Sequence, residues 1–455
     1  MEDTKKIKIP LGFMLCSFTE TFERLAYYLS RSILLIFITT SVAQGGLALD
    51  DTVGANMQSN LTAFAYGAAI IGGIIVDRWI GARWTTPVGM LVAGAGYYVG
   101  SVATGVGSLY LMIILVSFGL GLFRNAPILG RIITDKKVMD SAFSIRYTLV
   151  NLGATLGPVI GGVLYKDTFA KNGVLGFAPC FRISAAIMVL GAVYYVLVCW
   201  RHIGDVGRVP FDKTKTQEEI EEEKMNKAVS ADGAKQPLTT LEKNRIIAII
   251  IVCLLQILYW IFSFLAFLPL YYYWAGKMDW TIGGWEMPVT WAESFNGIWC
   301  MILGPVFAVI WGKLASRSQG DISMFRKTGL GIGILGLSYL YYIILDVFNS
   351  RSPISALWLI IWAFLMTTGE MTYSPLVHSF ISKYSPSRYL GVMIACSSLA
   401  IFAAGKLYGP IYGVLFGGSM GFRTACGYVT AICLVAAAII IMMDKKVANL
   451  VDKRD

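Results

Sequence analysis

Glu20, Glu23, Arg24, Tyr27 and Arg31 fall within one short stretch of an otherwise apolar run. At roughly 100° per residue they occupy a single helical stripe about 100° wide, with Tyr28 beside it. A carboxylate beside a guanidinium can take up and release a proton, the cation favouring the ionised form. A further guanidinium can hold a carboxylate in bidentate fashion. Isolated polar groups recur later in apolar surroundings: Tyr66, Arg124, Tyr147, Asn151, Asn296, Glu370 and Ser374. Glu370 and Ser374 stand one helical turn apart, just before Pro375, which can kink a helix and free a carbonyl. Lys406 can snorkel to an interface, and His378 is expected near a span end as an interfacial residue.

The elements carrying these groups are long apolar segments. A helix needs about 20 mostly apolar residues to cross roughly 30 Å of hydrocarbon. Such segments recur at approximately 9–40, 59–76, 86–104, 108–134, 141–165 and 178–200. A second set follows at approximately 244–273, 291–314, 326–348, 354–382, 388–416 and 422–443. The fold expected is therefore an all-α membrane protein of about twelve transmembrane helices in two six-helix halves. The halves are residues 1–200 and 244–455, joined by a polar linker over 201–243. An ionisable group inside a span costs at least a few kcal/mol and by default marks a pathway. Glu and Arg one turn apart could merely neutralise each other, but five polar groups on one face imply a wet cavity.

Composition excludes other classes. Hydrophobic residues make up 56% and charged residues 15%, against roughly a quarter charged in soluble domains. Mean hydropathy is +0.64. Barrel strands are short and alternating, which these runs are not. The net charge of +10 is concentrated in the N-terminus, the even-numbered connections and the C-terminus. It places both termini and the linker in the cytoplasm of an inner or plasma membrane, so no nucleic-acid partner is needed. The first span carries charges no signal-peptide core tolerates, and it is read as a retained helix. The eight cysteines are scattered without metal or disulfide spacing. Two histidines without metal spacing, and no G-x-S-x-G elbow, argue against an enzyme. No cofactor is expected, and a monomer is.

Six spans, a cytoplasmic linker and six more resemble the major facilitator superfamily, whose halves rock about a midplane site. The stretch Gly72–Arg83, with Asp77 and Arg78, resembles that superfamily's signature loop between spans 2 and 3 and implies a cytoplasmic gate. Gly153-x-x-x-Gly157 allows close helix approach. Within the superfamily the chain resembles the proton-dependent oligopeptide transporters. Glu20-x-x-Glu23-Arg24-x-x-Tyr27-Tyr28 matches that family's first-helix signature. Ala142-Phe143-Ser144-Ile145-Arg146-Tyr147-x-x-x-Asn151-Leu152-Gly153 resembles its fifth-helix motif, and Glu370-Met371-x-x-Ser374-Pro375 its tenth-helix motif.

The resemblance implies proton coupling at Glu20, Glu23, Arg24 and Glu370, and substrate binding by Arg31, Tyr27, Tyr28, Tyr66, Arg124, Tyr147, Asn151, Asn296, Glu370 and Ser374. There are departures. Arg124 stands where the family usually has lysine, and arginine does not readily lose its proton. Span 7 holds no Asp or Glu, Gly297 follows Asn296 where proline is usual, and Cys396–Ser398 replaces a site aromatic. The two extra helices of many bacterial relatives are missing. The function expected is proton-coupled import of di- and tripeptides by alternating access. The alternatives are a proton-coupled carrier of another small organic or drug-like solute, and a non-transporting membrane sensor.

Overall fold

Apolar runs too long for a loop and too apolar for water become helices, because only a helix satisfies its own backbone in hydrocarbon. In the computed structural model, residues 9–133, 136–213, 238–317, 322–386 and 389–452 are described, and among them lie thirteen α-helices. The chain divides into two compact units, Met1–Thr214 and Lys215–Asp455.

The first unit holds α1 (Leu11–Thr39), α2 (Asp51–Ile75), α3 (Ala82–Ser101), α4 (Val106–Leu122), α5 (Asn125–Ile132), α6 (Lys136–Val163) and α7 (Phe177–Leu197). The second holds α8 (Thr240–Leu265), α9 (Trp291–Ala315), α10 (Met324–Asn349), α11 (Leu359–Tyr384), α12 (Leu390–Leu415) and α13 (Phe422–Asp452). Among the described residues, nine helical segments are long and apolar enough to cross a membrane on length and composition alone. The first span is not among them, since Glu20, Glu23, Arg24 and Arg31 interrupt its apolar character.

The fourth span corrects an expectation. It is not one helix: α4 ends at Leu122, and Arg124, at φ −116° and ψ 58°, caps the separate helix α5. Pro127 gives the reason. Its ring would meet the carbonyl of Phe123, four residues back, and it has no N–H to donate. The chain therefore breaks at Phe123–Arg124 and restarts with Pro127 in the first turn of α5, where the missing donor costs nothing. By contrast α11 runs through Pro375 without interruption.

In the first unit α1 lies chiefly along α6 and α7, while α4 lies along α3 and α2. Small residues set the α1–α6 distance. A Cβ on Gly153 would stand 2.7 Å from Thr21 O, and one on Gly157 2.7 Å from Leu29 N. In the second unit α10 runs along α13 and α11, α8 along α12, and α9 along α11. Asp346 on α10 accepts from Arg423 Nε at 2.6 Å and from Tyr273 Oη at 2.5 Å. That charge-assisted clamp joins α10 to α13 and to the π-turn Leu270–Trp274 that follows α8.

The expected linker 201–243 is only partly described. Residues 214–237, including the acidic run Gln217–Lys224, lie outside the described residues. The part before them touches the first unit through a few side chains, while Asp205 and Arg208 stay exposed. Trp200 Nε1 donates to Arg83 O at 3.3 Å, Trp84 Nε1 donates to Arg208 O at 3.2 Å, and the Arg131 guanidinium covers the Phe211 ring at 4.2 Å. The part after them opens α8, with Thr239 and Glu242 forming a capping box.

Candidate functional site

Helix α1 carries the stripe read from the sequence, and it is buried: Glu23 is 1% exposed, Glu20 4% and Arg31 6%. Each carboxylate has its own guanidinium. Arg24 Nε donates to Glu23 Oε2 at 2.5 Å. Arg146 Nε, from α6, donates to Glu20 at 2.9 Å. Glu20 also accepts from Asn125 Nδ2 at 3.2 Å. A buried carboxylate is tolerated only when paired and hydrogen-bonded, or when neutralised by a proton. Here each carboxylate is paired through at least one oxygen.

The remaining α1 groups surround these pairs. The Arg24 guanidinium lies 5.5 Å from the centre of the Tyr27 ring, and that of Arg31 5.9 Å from the Tyr28 ring. With its amide oriented by its hydrogen bonds, Gln58 on α2 accepts from Arg31 Nε and Nη2, both at 3.3 Å. Tyr66 lies on α2 with 38% of its surface exposed. Tyr147 and Asn151 sit one turn apart on α6, where Asn151 Nδ2 donates to Tyr147 O at 2.9 Å.

Arg124 does not lie within a helix. It occupies the break in the fourth span, where its Nη2 donates to Asp77 Oδ2 at 3.4 Å. Asp77 and Arg78 lie in the π-turn Val76–Ile80 at the end of α2. The structure thus joins a residue expected to bind substrate with one expected to gate.

In the second unit, Asn296 on α9 and Glu370 on α11 are brought together. Asn296 Nδ2 donates to Thr367 Oγ1 at 2.8 Å and reaches Glu370 Oε2 at 3.4 Å. Among the described residues this amide is the one hydrogen-bond partner of Glu370, so its charge meets no cation within the unit. Ser374 follows one turn along α11. Tyr259 on α8 braces this region, its ring 4.6 Å from that of Tyr373 and its hydroxyl 3.5 Å from Met366 O. His378 and Lys406 are both exposed.

Four participants were missed from the sequence. Arg146 was quoted only as part of a motif, and Asn125 and Gln58 were not singled out. Glu293, 5% exposed on α9, accepts from Tyr271 Oη at 2.6 Å. Its acidic side chain inside the eighth span was the available signal.

Two units built largely of helices long and apolar enough to cross a bilayer are the architecture of a multi-pass membrane protein. The Major Facilitator Superfamily profile matches residues 24–404, and the chain belongs to that superfamily. It is similar to the uncharacterised transporter YclF of Bacillus subtilis, at 26% identity over 89% of this chain and 88% of that one. It is also similar to a di-/tripeptide transporter of Lactococcus lactis, at 24% identity over 86% of each chain. A crystal structure of a peptide transporter, POT, in complex with sulfate superposes with a TM-score of 0.83. It is 24% identical and covers 98% of this chain and 96% of that one, a likeness of fold.

Proposed function

We propose that the protein is a proton-coupled symporter that imports di- and tripeptides by alternating access. It would act as a monomer in an inner or plasma membrane with both termini in the cytoplasm, its two helical halves flanking the linker region 201–243. The observation that carries the reading is the double pairing on α1, Glu20 with Arg146 and Glu23 with Arg24. Relatives over most of the chain named as di-/tripeptide transporters support the substrate class.

In this reading Glu20 or Glu23 exchanges a proton with whichever side the cavity faces. Protonation removes the acceptor charge and loosens the paired guanidinium. The peptide carboxylate engages Arg31, with Tyr27, Tyr28, Tyr66 and Tyr147 around it. Its ammonium engages Glu370, beside Ser374, and Asn151 and Asn296 read the amide. Glu370 suits this role because a neutral amide is its present partner. Asp77 and Arg78 serve the gate, and Arg124 reaches substrate only by leaving Asp77.

The energetics permit uphill uptake. One charge moving down about 100 mV releases roughly 2.3 kcal/mol. Tenfold accumulation of a zwitterion costs about 1.4 kcal/mol. One proton therefore sustains a gradient of about forty-fold.

The engagement of Arg124 by Asp77 also favours a second reading, in which another small organic or drug-like solute is carried. Counterflow separates the two. Liposomes loaded with unlabelled dialanine should accumulate labelled dialanine, and N-acetyl-dialanine should compete poorly for want of an ammonium. Failure of dialanine to exchange, alongside exchange of another solute, would discard the peptide reading.

A further inference from the structure

Asn125 opens α5 and is 1% exposed. Its Nδ2 donates to two acceptors on α1, Cys16 O at 2.8 Å and Glu20 Oε1 at 3.2 Å. Its Oδ1 is also buried, yet no donor among the described residues reaches it. A buried amide oxygen left without a donor is uncommon and costs roughly 1–3 kcal/mol. Position and chemistry together suggest what this oxygen is for.

An ionised carboxylate only accepts, whereas a protonated one gains an O–H that must donate. With Glu20 ionised, the observed amide orientation is correct, because both N–H groups meet acceptors. With Glu20 protonated, the amide can accept the new O–H only through Oδ1. Turning the amide over brings Oδ1 to Glu20 and withdraws Nδ2 from Cys16 O. We propose that Asn125 is a positioning residue of the transport cycle, its amide exchanging donor for acceptor as Glu20 gains a proton. The bond between the head of α5 and the backbone of α1 is thereby made or broken by protonation. The next residue back is Arg124, held by Asp77 of the proposed gate, so the protonation of Glu20 is coupled through Asn125 to the residue beside that contact.

This inference rests on the proton-coupled reading above. The charged groups around Glu20 are Arg146 from α6 and, along α1, Glu23 and Arg24. On α5, the Arg131 guanidinium is directed onto the Phe211 ring. The guanidiniums can only donate, and Asn125 alone among the groups bonded to Glu20 can both donate and accept.

The test is the pH dependence of dialanine uptake in proteoliposomes. Asn125→Leu removes both bonds, and because the one donated to ionised Glu20 is charge-assisted and the stronger, the pH midpoint of uptake should move up by about one unit. Asn125→Ser, whose hydroxyl both donates and accepts, should return the midpoint toward that of the wild type. Infrared difference spectra on acidification give a second readout in the intact protein. The side-chain carbonyl band removed by Asn125→Leu should shift with pH in the wild type and stay fixed in Glu20→Gln. Proton-driven wild-type uptake with an unmoved midpoint in Asn125→Leu and a pH-indifferent amide band would overturn the role of Asn125. Wild-type uptake indifferent to the proton gradient would instead overturn the proton-coupled reading, and the infrared response would then decide Asn125 by itself.

Discussion

Arg146 on α6 donates to Glu20 on α1 at 2.9 Å, an ion pair joining residues 126 positions apart in the chain. Glu20 is almost wholly buried, while the Arg146 side chain keeps 29% of its surface exposed. Removing the arginine strands a carboxylate; removing both charges does not. Arg146→Leu should destabilise the protein by about 1–3 kcal/mol, toward the low end for a buried pair because of that exposure. Adding Glu20→Gln should recover part of the loss. Thermal unfolding in detergent checks this, and a double variant less stable than Arg146→Leu would contradict the pairing.

Glu23 and Arg24 supply the second pair, and charge removal there addresses coupling rather than stability. Glu23→Gln should abolish uphill peptide uptake while leaving measurable counterflow. Wild-type uptake should rise as the outside pH falls, since a carboxylate must load its proton outside, whereas counterflow by Glu23→Gln should lose much of that pH dependence. Uptake and counterflow assayed across an outside pH series would show both effects. Full gradient-driven accumulation by Glu23→Gln would remove this residue from the coupling set.

Arg124 and Asp77 should behave as one unit. Asp77→Asn and Arg124→Gln should each reduce the maximal uptake rate about tenfold, and the double variant should be little worse than either, as for residues sharing one interaction. Arg124→Lys keeps the charge and should retain most of the rate. Additive losses in the double variant would mean that Arg124 acts apart from the signature loop.

Glu370 is expected to act on the peptide's amino end. Glu370→Gln should raise KM for dialanine by about tenfold to a hundredfold, the worth of one charge-assisted hydrogen bond. Competition by N-acetyl-dialanine should change little. Equal losses for both ligands, measured by competition binding, would assign Glu370 to something other than the ammonium.

Much of this was legible in the sequence for a physical reason. Ionisable groups inside apolar runs are so costly that the α1 stripe and Glu370 stand out without a structure. The helical spans were equally plain, being set by bilayer thickness. Arg146 was hidden because it belongs to the charged start of its span, near Lys136, Lys137 and Asp140, where polar residues are ordinary. Asn125 was hidden because its place depends on the break that Pro127 imposes, and this brings it against α1 from 105 positions away. Arg124 stood out as a charge in an apolar run, but its pairing with Asp77 was not legible because it depends on the break between α4 and α5.

The most direct measurement of the central claim is uptake of labelled dialanine into proteoliposomes under an imposed inward proton gradient. The expected result is accumulation above the outside concentration that collapses when an uncoupler is added. Equilibration without accumulation, or no uptake by protein shown to be folded, would contradict proton-driven peptide import.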